Sequence, residues 1–138
     1  MKTWIKGFFS LTLVFAPLLM AQVSPIHIDA TTKLKTYGNK IITTDGKPDS
    51  PAVTLGDVIV MALETPLTTD KDLTPADKFQ HDALARKLYG SDGKLKTDVI
   101  LTLDEVKLIK DRVGEAYGAQ VIGAVWPLLD ASEKPAGN

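Results

Sequence analysis

Apolar positions recur at helical spacing in three places along this chain, and each recurrence starts directly after a threonine. Thr54-Leu55-Gly56-Asp57, Thr74-Pro75-Ala76-Asp77 and Thr102-Leu103-Asp104-Glu105 each set a hydroxyl three residues ahead of a carboxylate. In such a capping box the hydroxyl accepts from an unpaired first-turn amide, and the carboxylate reaches back to the amide of the cap residue. Asp is expected to reach back less well than Glu, while still placing negative charge at a positive helix end. The pattern predicts three helices.

The first is expected from Leu55 to about Glu64, with Leu55, Val58, Ile59, Ala62 and Leu63 forming a buried stripe. Val60 and Met61 lie off that stripe, so this helix is apolar nearly all round and needs to be central or covered by a partner. Pro66 ends it, and Leu67 to Leu73 reads as a charged loop. The second helix is expected from Pro75, a favoured first position, to Tyr89. Phe79, Ala83, Leu84 and Leu88 are assigned to its inner face, Lys78, Asp82, Arg86 and Lys87 to water, and Gly90 to its C-cap. The third, Leu103 to Tyr117, carries Leu103, Val106, Ile109, Val113 and Tyr117 on one face. Gly114 inside it costs roughly 1 kcal/mol against Ala, which predicts close approach of another backbone. A fourth apolar run, Val121 to Leu129, is interrupted by Gly123 and Pro127; Trp126 and Leu128-Leu129 read as core, with Trp126 also an exposed anchor in the alternative reading.

Ahead of the helices the period changes from helical to alternating. Residues 22–29 read as an extended, loosely held lead-in, because Pro25 blocks a helix. Thr32–Tyr37 and Lys40–Thr44 are β-prone runs around Gly38-Asn39, which predicts a hairpin with a two-residue type II′ turn. Residues 45–51 are a cluster of turn formers, Ser91-Asp92-Gly93 is a turn, and Val99–Leu101 is a short strand expected beside the hairpin. The expected fold is α+β, mainly helical, with three to four helices packed around residues 55–64 and a small N-terminal β-hairpin.

Composition places the chain among ordinary single domains: 138 residues, 44% hydrophobic and 24% charged. Lys2 and Lys6 precede an apolar run from Phe8 to Met20 and the small residue Ala21, the layout of a signal peptide. The rival reading starts a cytosolic protein at Met20, and an uncleaved anchor is third. The domain division is therefore 1–21 as leader or misassigned start, 22–130 as one globular domain, and 131–138 as a polar tail. The first reading implies an exported protein, periplasmic or extracellular, with no membrane in its mature form. Without residues 1–21 the balance is 14 basic against 17 acidic residues, a net charge of −3, which argues against a nucleic-acid footprint. The absence of cysteine excludes disulfides, thiolate metal sites and cysteine nucleophiles.

Candidate chemistry is sparse. Asp92-Gly93 between helices invites a Ca²⁺-loop reading, but counting back from Glu105 places Lys94 at the first ligand position. Glycines 114, 118 and 123 have no Lys-Ser/Thr after them and do not form a phosphate loop. His81 has Asp77 four residues before it and Asp82 beside it, which is read as a surface ion pair. The same residues could orient a general base in a small exported hydrolase or binding protein, although no serine nucleophile is evident. His27 lies in the lead-in. No catalytic, cofactor-binding or metal residue is assigned, and no cofactor is expected. The preferred function is non-enzymatic interaction with a protein partner or with itself, through a surface that includes Val60, Met61 and Trp126.

The order Leu55-Gly56-Asp57-Val58, Ala62-Leu63, Pro66-Leu67, then Ala85-Arg86-Lys87-Leu88-Tyr89, then Leu103, Glu105-Val106, Leu108-Ile109-Lys110, Gly114 and Ala116-Tyr117 resembles a group of small tailed-phage and prophage proteins of uncharacterised function. The resemblance runs from about Thr31 to Leu129 and involves cap and core positions. It implies a structural or assembly accessory role near tail morphogenesis and brings no catalytic residue with it. The leader-like segment departs from that picture, because assembly proteins work in the cytoplasm.

Overall fold

The computed structural model describes residues 25–133 of the chain. Residues 1–21, with the alternative start at Met20, lie outside the described residues, as does the end of the tail. Chain order is β1 (Ile26–Ile28), α1 (Leu55–Glu64), a 3-10 turn (Thr68–Asp72), α2 (Pro75–Lys87), β2 (Val99–Leu101), α3 (Leu103–Ala116) and α4 (Ala119–Glu133). The fold is α+β and mainly helical. α1 packs on α2 and α3, and α4 lies across β1 and against α3.

All three capping boxes form. Asp57, Asp77 and Glu105 each donate their amide to the cap threonine's hydroxyl at 3.2 Å. The returning bonds from the threonine amides measure 3.0 Å to Asp57, 2.8 Å to Asp77 and 2.8 Å to Glu105. The shorter Asp side chain thus reaches back about as well as Glu. Glu105 also takes both of its Lys87 contacts at 2.8 Å, tying α2 to the start of α3.

The β structure differs from expectation in its pairing. β1 and β2 are antiparallel, with Ile26 opposite Leu101, His27 opposite Ile100 and Ile28 opposite Val99. Ile26, Ile28, Val99 and Leu101 face the core, while His27 and Ile100 face out. Residues 26–28 of the lead-in are therefore fixed rather than loose, and residues 99–101 pair with them rather than with the hairpin. The hairpin turn lies where the sequence placed it but has three residues. Asn39 is the residue at positive φ (58°), and the amides of Asn39 and Thr36 donate to Thr36 and Lys40 carbonyls respectively. A three-residue loop with its last residue left-handed suits Asn, whose short polar side chain tolerates that conformation.

Beyond this turn three extended arms meet in a ring. Ile42 donates to Leu34, Leu34 to Val53 and Val53 back to Ile42, at 2.8–2.9 Å. The arms also supply the start of α1. Its first unpaired amides are all satisfied: Thr54 by Asp57, Leu55 by the Thr32 carbonyl, Gly56 by the Ala30 carbonyl, and Asp57 by the Thr54 hydroxyl.

Several inward and outward assignments change. Val58 and Ile59 are core as expected, but Val60 is buried too, at 8% exposure, covered by the chain itself rather than left on a surface. In α2 the inner stripe is His81, Leu84, Ala85 and Leu88, whereas Phe79 is 73% exposed. α2 ends at Lys87 with Leu88 as its cap, because Tyr89 turns off to pair with Leu95. Leu103 is exposed. A Cβ at Gly114 would meet the Trp126 indole at ordinary contact distance and no backbone atom. α4 runs unbroken through Gly123 and Pro127 and takes in residues 131–133 of the expected tail. Val125 and Leu129, one turn apart and fully buried, anchor it, and that packing outweighs the local preferences of Gly and Pro.

Gly56 is required for close approach. A Cβ there would stand 2.9 Å from the Ala30 carbonyl oxygen and 2.6 Å from a Leu95 methyl carbon. Gly56→Ala should therefore destabilise the fold by about 1–3 kcal/mol, against the helix preference for Ala. Urea titration of the two proteins checks this, and equal or greater stability of the variant would refute the contact.

Candidate functional site

The end of α1 presents carbonyls that need donors, and α1 has no basic residue in its last turn. Arg112 supplies them from α3. Its Nε donates to the Ala62 carbonyl at 3.0 Å and its Nη2 to the Thr65 carbonyl at 2.9 Å. The same guanidinium forks onto Asp70 in the 3-10 turn, with Nη1 on Oδ1 and Nη2 3.3 Å from Oδ2. Asp70 also accepts from the Leu67 amide at 2.7 Å. Arg112 is 5% exposed. The Arg112 hydrogen bond, then that of the Leu67 amide, holds the Asp70 carboxyl below the usual carboxylate range. A second tie runs from the Thr69 hydroxyl to Glu115 at 2.7 Å.

Beside this latch lies a cleft of about 370 Å³ between the end of α1, the 3-10 turn and α2. Leu63, Pro66 and Leu73 give it an apolar wall, and Glu64, Asp70, Lys78, His81 and Asp82 its polar edge. His81 belongs to the buried stripe of α2 and is 7% exposed. Its ring makes no hydrogen bond among the described residues, yet no fully enclosed side-chain nitrogen there lacks a partner. His81 lines the cleft, and its unpaired ring nitrogens are not fully enclosed. Burial, then the Arg112 charge, pushes the imidazole below its ordinary pKa; the nearby Asp70 and Asp77 pull the other way without prevailing. Burial and that charge both favour the neutral imidazole.

The expected surface pairing of His81 with Asp77 and Asp82 does not form. Asp77 is committed to the cap, where Thr74 holds its carboxyl below the usual range. Asp82 accepts from Arg86 Nε at 2.8 Å on the outer face of α2. With Asp70 locked by Arg112, these three carboxylates are already engaged, while Glu64, also on the edge of the cleft, makes no hydrogen bond or ion pair among the described residues; no carboxylate there is hydrogen-bonded to the imidazole.

Of the residues assigned to an interaction surface, Met61 (56% exposed) and Trp126 (40% exposed) are open and Val60 is not. His27 lies on the outer face of the sheet, with Nδ1 2.7 Å from Asp98 Oδ1. A wider depression of about 630 Å³ near the hairpin is edged by the exposed Lys33, Lys40 and Lys47, with no buried polar group in it. Among the described residues no three His, Asp or Glu side chains are grouped to hold a metal ion, and no helix is long and apolar enough to cross a membrane.

Arg112 and Asp70 were not singled out by sequence reasoning. The available signal was a lone Arg three residues after Ile109 and next to Val113, at the margin of a buried stripe. Asp70 had a weaker one, three residues after the apolar Leu67. Comparison with family models, with curated proteins and with solved structures finds no match for this chain.

Removing the latch should be costly. Arg112→Ala leaves Asp70 and two helix-end carbonyls without their donor and should lower stability by about 3–5 kcal/mol. Arg112→Lys should recover only part of this, since an ammonium cannot reproduce the planar fork. Denaturant titration reads both; a loss below 1 kcal/mol for Arg112→Ala would contradict the geometry.

Acid should destabilise the protein in two steps. The native imidazole of His81 resists protonation, so the unfolded chain binds more protons once pH falls through the ordinary histidine value of about 6.5. Stability is therefore full above that value and falls below it until native His81 also protonates. Asp70 and Asp77, held low, lose their contributions only as pH falls through and below the carboxylate range. Melting temperature should drop between pH 7 and pH 5, and His81→Gln should flatten that slope. An unchanged slope in the variant would assign the effect elsewhere.

Proposed function

We propose that the chain is a non-enzymatic protein-interaction module acting as an assembly accessory protein. The observation that carries this reading is Met61, largely exposed on the most apolar of the described helices while its neighbours Val60 and Ala62 are buried. Trp126, half exposed on α4, adds an aromatic anchor of the kind that dominates binding energy at interfaces, and Met adapts to varied apolar partners. The commitment of Asp70, Asp77 and Asp82 to other partners weighs against the rival reading of Asp/His hydrolysis. The resemblance to small tailed-phage proteins goes with an assembly role.

Three variants test the proposal. Val58→Asp should abolish folding, because a buried unpaired carboxylate costs an amount comparable to the 5–15 kcal/mol that holds a domain together. Met61→Asp and Trp126→Ala should melt close to wild type yet lose self-association in sedimentation, or lose a partner recovered by the wild-type chain. Met61→Asp unfolding as fully as Val58→Asp would remove the main support. So would a wild-type chain that stays monomeric at high concentration and recovers no partner.

A further inference from the structure

We infer that the cleft beside His81 seats a basic side chain, a lysine or arginine carried by a protein partner. This rests on the interaction reading above and gives the partner its chemistry. The apolar wall of Leu63, Pro66 and Leu73 matches an aliphatic stem, and the acceptors beyond it match a cationic head. His81, nine-tenths buried, lines the cleft with ring nitrogens that are unpaired among the described residues and not fully enclosed, and the neutral imidazole offers a lone pair. The carbonyls of Leu63 and Glu64 receive no donor from the described residues, and the negative end of α1 has no basic residue of its own.

The charges sort the ligand classes. Arg112 lies near the site and its charge opposes a second cation there, but four of its five N–H groups are engaged by Asp70, Ala62 and Thr65, and the Asp70 carboxylate offsets the charge. Glu64 makes no ion pair among the described residues, whereas Asp70 and Asp82 keep partial negative character at the edge. An anionic ligand would meet these carboxylates and the negative helix end together. Lys78 is the one opposing cation of the lining, and it gives the inference a sign that can be checked: its removal should strengthen binding.

The experiment follows the His81 ring proton resonances of the full-length protein by NMR at pH 7.5, with His81→Gln assigning them against His27. The probe is n-butylguanidinium, with n-butyrate and n-butanol as anionic and neutral controls. Saturable shifts at millimolar n-butylguanidinium are expected, with no matching response to either control. Glu64→Gln should weaken that binding about two- to fivefold and Lys78→Gln should strengthen it by a similar factor, the range of an exposed charge pair. A stronger response to butyrate, equal responses to all three probes, no response to any, or affinities unmoved by both substitutions would each overturn the inference. Probe binding that persists where Met61→Asp and Trp126→Ala leave association untouched would separate the two ideas: the cation site would stand while the interaction reading fell.

Discussion

Arg112 is the contact on which the arrangement of this region depends. One planar fork from α3 satisfies two carbonyls at the end of α1 and holds the acidic side chain that organises the 3-10 turn. A buried guanidinium is tolerable only when its donors are answered, and here the answering groups come from the end of α1 and from the 3-10 turn after it. α1 is thereby gripped at both ends. The amides of Leu55 and Gly56 are taken by the extended arm before it, and the carbonyls of Ala62 and of the cap residue Thr65 by a helix that follows much later.

This arrangement also sets the properties of the cleft. Because Asp70 is spent on Arg112, and Asp77 on its cap, the His81 ring is left desolvated near a cation, which disfavours its protonation. A buried imidazole without an orienting carboxylate is poorly equipped as a general base, but it remains a good hydrogen-bond partner. The same electrostatics that hold the fold together thus shape the cleft for recognition.

Helix starts were legible in the sequence because a capping box is local: Thr54, Thr74 and Thr102 each find their partner three residues away. The apolar stripes of α1 and most of α3 were legible for a similar reason. What failed to be legible depended on distant neighbours. Reading His81 as a surface ion pair rotated the inner face of α2, placing Phe79 inside and the imidazole outside. The lead-in could not be seen as a strand, since its partner lies more than seventy residues away in β2. Arg112 looked like a solvated charge because nothing near it in sequence announces the helix end it serves. α4 shows the reverse case, in which Gly123 and Pro127 argued for a break that burial of Val125 and Leu129 overrides.

The most direct measurement of this account is solvent exchange at the Arg112 Nε–H, resolved by ¹⁵N NMR. The chain has two arginines, and the other, Arg86, makes its Nε contact on the exposed face of α2. If Arg112 is buried against the Ala62 carbonyl, its Nε–H should exchange far more slowly than that of Arg86, with protection close to that of the core amides of α1. Exchange of both at the same fast rate would mean that the end of α1 is open to water and that the latch does not exist.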